Sequence, residues 1–231
     1  MRIFLMILFL LCTHALEGSL LENLQRGKTG DYIVTAQGKN FTLLHLYNKQ
    51  GQILTIEEVT APLASLKQGP GVWKTWISQK APGHTAWVLY SIDLNTGKLV
   101  SSYSVMRQAR QEVSGANSFL TTLLNLKLEP IPPRKRKKIG TSFKLWQPKM
   151  VVDGKTIPGV EFDAWRTQWP KDQTDLANKT IDVYVPHESD RYPSYFPYWL
   201  EISGLVGSAK VRIIDSGSGM VSPAQIKVET K

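Results

Sequence analysis

Glu161, Asp163, Arg166 and Asp172 stand close together in the segment VEFDAWRTQWPKD, set among Trp165 and Trp169. In an extended strand Glu161 and Asp163 share a face. Two acids on one face suit general acid–base work on a glycosidic bond, where one carboxyl protonates the leaving oxygen and the other acts from the opposite side. An ion pair at a strand end explains the same residues, and no third polar group for a reaction is identifiable beside them. Other chemistry-bearing types are sparse. The run Asp215-Ser216-Gly217-Ser218-Gly219 offers serines, but small residues after an alternating strand read as a terminal turn. G-x-S-x-G, H-E-x-x-H and the P-loop are absent, and no G-x-G-x-x-G stands between a strand and a helix. His45 alternates with Phe41, Leu43 and Tyr47 and reads as a core histidine, whereas His84 and His187 fall in polar turn segments. No metal site and no cofactor are expected.

Two residue classes are in excess. The stretch IPPRKRKKIG carries five consecutive cations, Arg134, Lys135, Arg136, Lys137 and Lys138, behind two prolines. The chain also holds seven tryptophans. Trp73 and Trp76 are three apart, so in a strand they face opposite sides and one of them must meet solvent, a lid or a ligand. Tyr195, Phe196, Tyr198 and Trp199 are interleaved with prolines that favour an extended segment. Such a segment either lines an apolar groove or closes one edge of a sheet. The expected ligand contacts are therefore Trp73, Trp76, Tyr195, Phe196, Tyr198 and Trp199.

Where the chain resides decides how the cations are read. Arg2 followed by the apolar run Ile3 to Leu11 and a T-x-A site reads as a signal peptide over residues 1–15. The run is short for a membrane anchor. Lipidation at Cys12 is the other alternative, against which stands the bulk of Leu11. Cleavage leaves 216 of the 231 residues and lowers the net charge from +9 to +8 by removing Arg2. It also removes the only cysteine, so disulfides and thiol chemistry are excluded, and a chain of this size supports its own core without them. A thiol-free exported chain suits a bacterial periplasm or secretion. The basic run then reads as a loop drawn to an anionic membrane or lipopolysaccharide surface, not as a nucleic-acid contact, which would interleave aromatics with the charges. A solvated loop with no partner accounts for it equally.

The elements that must position these residues are mostly strands. Tyr32–Ala36, Phe41–Tyr47 and Ile53–Thr60 are joined by GKN and NKQGQ turns. A meander of Val72–Gln79, Thr85–Asp93 and Leu99–Met106 follows. Lys149–Val152, Val160–Trp165, Thr180–Val185, Pro197–Ser203 and Ala209–Asp215 complete the set, the last two as a hairpin. Both faces of Thr85–Asp93 are partly apolar, so one meets the core and the other a lid or partner. Short helices are expected over Leu16–Arg26 and within Ser114–Leu128, and the tail after Gly219 reads as loosely held. The fold class is mainly β (α+β): one domain over 16–231, built on a curved antiparallel sheet or half-barrel with one or two short helices, with 129–140 as a candidate sub-boundary.

A short amphipathic helix followed by a long antiparallel sheet with Trp and Tyr on both faces resembles the LolA/LolB/RseB class of bacterial envelope proteins. That resemblance implies a curved sheet holding acyl chains or lipoprotein segments. The stretch YPSYFPYWLEISGLVGSAKVRIIDSG is also similar to exported proteins of chlamydia-like intracellular bacteria. Together these readings describe a non-catalytic envelope protein that binds an apolar ligand or lipidated partner. The alternatives are a carboxylate-dependent envelope-glycan hydrolase and a secreted effector that meets anionic surfaces through Arg134–Lys138.

Overall fold

The computed structural model describes residues 19–65, 72–111, 117–188, 191–193, 195–204 and 208–225. The signal-peptide reading and Cys12 lie outside them. The chain begins with α1 (Leu20–Arg26), capped by Ser19, whose hydroxyl accepts from the Leu21 amide. Such a cap satisfies one of the free donors at a helix start. The strands β1 (Tyr32–Gln37), β2 (Asn40–Gln50) and β3 (Ile53–Pro62) follow, then α2 (Val72–Ser78), β4 (Ala86–Asp93), β5 (Lys98–Ser104), β6 (Ala109–Gln111) and α3 (Asn117–Asn125). The second half contains β7 (Glu129–Pro130), β8 (Met150–Val152), β9 (Lys155–Ile157), β10 (Phe162–Gln168), β11 (Thr180–Pro186), β12 (Trp199–Ser203) and β13 (Ser208–Gly217).

Eleven strands form one antiparallel sheet in the order β6-β5-β4-β3-β2-β1-β13-β12-β11-β10-β7, and β8-β9 make a separate hairpin. The large sheet is thus two meanders joined along a seam, where β1 pairs with β13. It curves without closing into a barrel. Its register shifts between Val34 and Thr35, between Leu46 and Asn48, and between Ser91 and Ile92, and bulges of this kind bend and twist a strand. Both edges are short, and β7 ends in Pro130, which has no amide to offer a further strand.

Strand alternation sorts the apolar residues onto two faces. On one face Ile33, Leu46, Leu54, Ile56 and Ile92 pack beneath α1 and α3 through Leu20, Leu24, Leu123 and Leu124. On the opposite face Val34, Phe41, Leu43, Val59 and Trp87 pack with Trp73, Trp76 and Ile77 of α2. Both faces of β4 are therefore covered.

The segment Val72–Ser78 is a helix and not the strand expected from its β-branched and aromatic content. Helical spacing puts Trp73, Trp76 and Ile77 on one side, where the rings of Trp73 and Trp76 meet Phe41 edge-on at 4.9 and 5.2 Å. A strand would have exposed one of the two indoles, so burial decided against local propensity. The described residues accordingly contain three short α-helices, one more than expected. The tail also differs from expectation. Ser218–Gln225 lies across the α2 face, with Met220 and Ala224 buried, the Met220 amide donating to Gly30 at 2.9 Å and Tyr47 donating to the Ala224 carbonyl at 2.8 Å.

Candidate functional site: a cavity across the sheet seam

Beneath α1 and α3 lies a cavity of about 200 Å³. Its floor is laid by Thr35, Thr42, Leu44, Ile56, Glu58 and Tyr90, its far side by Leu200 and Val211, and its roof by Leu24, Leu120, Leu124, Tyr195 and Phe196. The pleat explains the assembly: Thr35 pairs with Thr42, Leu44 with Glu58 and Ile56 with Tyr90, and directly opposed residues share a face. Leu200 and Val211 pair across β12 and β13. Both meanders thus contribute walls.

Glu58, Tyr90 and Tyr195 are the ionisable side chains among the described residues lining this largely apolar space. The Tyr90 hydroxyl donates to the Glu58 carboxyl. Burial raises the Glu58 pKa above its ordinary value, with the Tyr90 hydrogen bond opposing the rise. Tyr90 is raised as well, first by burial and then by the neighbouring carboxylate. The Tyr195 hydroxyl donates to the Leu44 carbonyl at 2.6 Å and ties the roof to the floor.

Of the six aromatic residues expected to contact ligand, Tyr195 and Phe196 line the cavity. Trp73 and Trp76 do not, being buried at 6% and 5% exposure on the other face of the sheet. Tyr198 is a buried core residue whose hydroxyl bonds to Ser216 Oγ. Trp199 is half-buried, with Trp146 edge-on at 5.0 Å and the Lys210 ammonium 5.9 Å from its ring centre. Glu58 and Tyr90 were not singled out in the sequence. The signal that points to them is Glu57-Glu58, two adjacent acids in the middle of a strand both of whose faces carry apolar residues.

The five cations are not equivalent. The Arg136 guanidinium is half-buried and donates to the carbonyls of Ile131 at 2.9 Å and Phe162 at 3.3 Å, and Lys137 pairs with Glu201. These two pin the loop to the second meander. Arg134, Lys135 and Lys138 are exposed, the Lys138 ammonium lying 5.2 Å from the ring centre of Phe143. Phe143 is itself 89% exposed and Ile139 48%.

The other chemistry-bearing groups have structural partners. His187 Nδ1 lies 3.0 Å from Asp163 Oδ2, and that hydrogen bond raises the His187 pKa above 6.5. Arg166 makes a two-pronged pair with Asp182 at 2.6 and 2.8 Å. Asp215 and Ser216 are buried inside β13 and are not in a turn. Asp215 Oδ1 accepts from the amides of Gly154 and Ser216, while the Ser216 hydroxyl donates to the Val151 carbonyl at 2.8 Å. No group of three or more His, Cys, Asp or Glu residues is arranged to hold a metal ion among the described residues.

The CT021 protein family model matches residues 42–158, half of the chain. The chain belongs to the CT021 family. The match runs from β2 past β9, so it includes most of the cavity floor, α2, α3 and the basic loop, and leaves out β1 and the second meander from β10 on. Among solved structures, the hypothetical protein CT021 from Chlamydia trachomatis has the same fold, with a TM-score of 0.67 and 20% identity over 90% of this chain and 96% of that one. The resemblance to proteins of chlamydial bacteria thus holds for family and fold. No curated protein matches the sequence. No described helix of this CT021-family chain is long and apolar enough to cross a membrane.

Proposed function

We propose that the chain is an exported, non-catalytic binding protein that holds an apolar ligand, or the apolar part of a lipidated partner, in the cavity across the sheet seam. The observation that carries this reading is a cavity with a largely aliphatic and aromatic lining, roofed by two helices and the Tyr195–Phe196 segment. Pockets of this composition are the usual place for small molecules. Size narrows the occupant. At about 200 Å³ the space falls below the roughly 300–1,000 Å³ typical of drug-sized ligands, so it suits one short chain or a terminal portion of a longer one. A curved, open antiparallel sheet with a short helix at its start is also the layout that resembles the LolA/LolB/RseB class. Native mass spectrometry of the mature protein purified from a bacterial periplasm, followed by denaturing extraction, tests the reading. A co-purified acyl-chain mass that disappears in Leu200→Trp supports it. A clean apo mass together with no uptake of short alkyl probes sinks it.

A second reading is favoured by Phe143. A phenyl ring at 89% exposure within a lysine-rich loop has the composition of a membrane-surface contact, where each cation near an anionic lipid contributes about 1 kcal/mol and an exposed aromatic enters the headgroup boundary. Flotation with vesicles of phosphatidylglycerol and phosphatidylcholine is expected to recover the protein at low salt. Lys135→Gln/Lys138→Gln and Phe143→Ser should each reduce recovery. Equal recovery of wild type and both variants removes this reading.

A further inference from the structure

The polar groups of the seam cavity specify more than an apolar occupant. Among the described residues that line it, Glu58 is the sole charged one; Gln37, Tyr90, Tyr195 and the two threonines are neutral, and no Lys, Arg or His faces the space. Among the described residues Tyr90 bonds to the Glu58 carboxyl, and a carboxylate accepts at up to about four sites. Acceptor capacity therefore remains, in a setting where an ionised group without partners is costly. A fatty acid would place a second carboxylate beside the first, and like charges oppose each other's ionisation. An ammonium head would instead form charge-assisted hydrogen bonds, roughly twice as strong as neutral ones.

We infer that the ligand of the cavity is a single-chain amphiphile with a hydrogen-bond-donating head, an alkylammonium ahead of an alcohol, seated on Glu58 beside Tyr90. This inference rests on the apolar-cavity reading above. Burial that raises the Glu58 pKa gives it a pH signature: the ammonium ligand loses affinity as pH falls through that raised value, because the protonated carboxyl no longer supplies a counter-charge.

Calorimetric titration of the full mature chain with octylammonium, octanol and octanoate tests it. Octylammonium is expected to bind at least about tenfold more tightly than octanol, the effect of one charged hydrogen bond, with octanoate weakest. The net charge of +9 on the full sequence works in the opposite direction, since it attracts anions in general, so a preference for the cation has to come from the site. Glu58→Gln should bring octylammonium and octanol within about threefold of each other, through a loss that falls mainly on octylammonium. Tyr90→Phe should leave the order of the three intact. Octanoate binding as tightly as octylammonium, or a cation preference that survives Glu58→Gln, overturns the inference and leaves the cavity reading standing. If none of the three probes binds wild type, the cavity reading falls and takes this inference with it.

Discussion

Glu57 and Glu58 are neighbours in β3 and live in opposite environments. Glu57 faces α2 and the C-terminal segment and is fully buried. His45 Nδ1 lies 2.8 Å from its Oε2, Trp87 Nε1 donates to its Oε1 at 2.8 Å, and the Ser222 hydroxyl donates to the same oxygen. Glu58 faces the helices, bonds to Tyr90, and borders open volume. The α2 face of the sheet has satisfied its carboxylate with protein groups, and the open space on that side, bordered by Trp87 and Ala224, lies away from it. The other has left both a void and spare acceptor capacity. A cavity in a core normally costs stability, and on the α1–α3 face it is retained beside the acid with fewer protein partners.

The comparison breaks most visibly on the packed face. Trp76→Ala should destabilise the protein by about 3–5 kcal/mol, the usual cost of deleting a buried indole, read as a lower urea midpoint. A loss below about 1 kcal/mol would mean that α2 is not an integral part of the core. Next come the paired acids. Glu57→Gln should cost about 1–3 kcal/mol by upsetting three buried partners, whereas Glu58→Gln should be neutral or stabilising. Equal losses would erase the distinction between the faces.

A smaller effect sharpens it. The raised Glu58 pKa means that the folded state holds its proton to higher pH than the unfolded chain does. Stability therefore falls as pH rises from the ordinary value of 4.5 through the raised one. Glu58→Gln should flatten that slope in denaturation curves collected across the window. The smallest effect concerns the second meander. In an NMR titration His187 should have a midpoint above 6.5, and Asp163→Asn should return it to the ordinary range. The stability it contributes is fully present below the ordinary value and is lost as pH rises through the folded one. Both partners are exposed and screened by solvent, so the titration midpoint is the readout and not the melting temperature.

Much of this architecture was legible in the residues. Alternation in FTLLHLY and TAWVLYSID placed β2 and β4, the Gly38 turn joined β1 to β2, and Leu20 with Leu24 announced α1. His45 read as a core histidine and is one. VWKTWIS failed because seven residues rich in Val, Trp, Thr and Ile satisfy a strand pattern as well as a helical one, and only the position of Phe41 on a distant strand decides between them. The cavity failed for a related reason. Its walls come from both meanders and two helices, and nothing local to Glu58 or Tyr90 says that Leu200 and Val211 stand opposite. Of the six aromatic residues expected at a ligand, only Tyr195 and Phe196 line the cavity, and both α2 tryptophans face the other way.

The joining of β1 to β13 has a consequence for how such a chain is made. Tyr32 pairs with Gly217, 185 positions later, so the Val211 side of the cavity does not exist until β13 has left the ribosome and, in an exported chain, crossed its membrane. Contacts this distant in sequence slow folding because loop closure has to be met before pairing rewards it. The first meander must wait with β1 as an open edge, a template for pairing with other chains. Losing β13 would leave β1 and β12 as two exposed edges and take Val211 from the cavity lining.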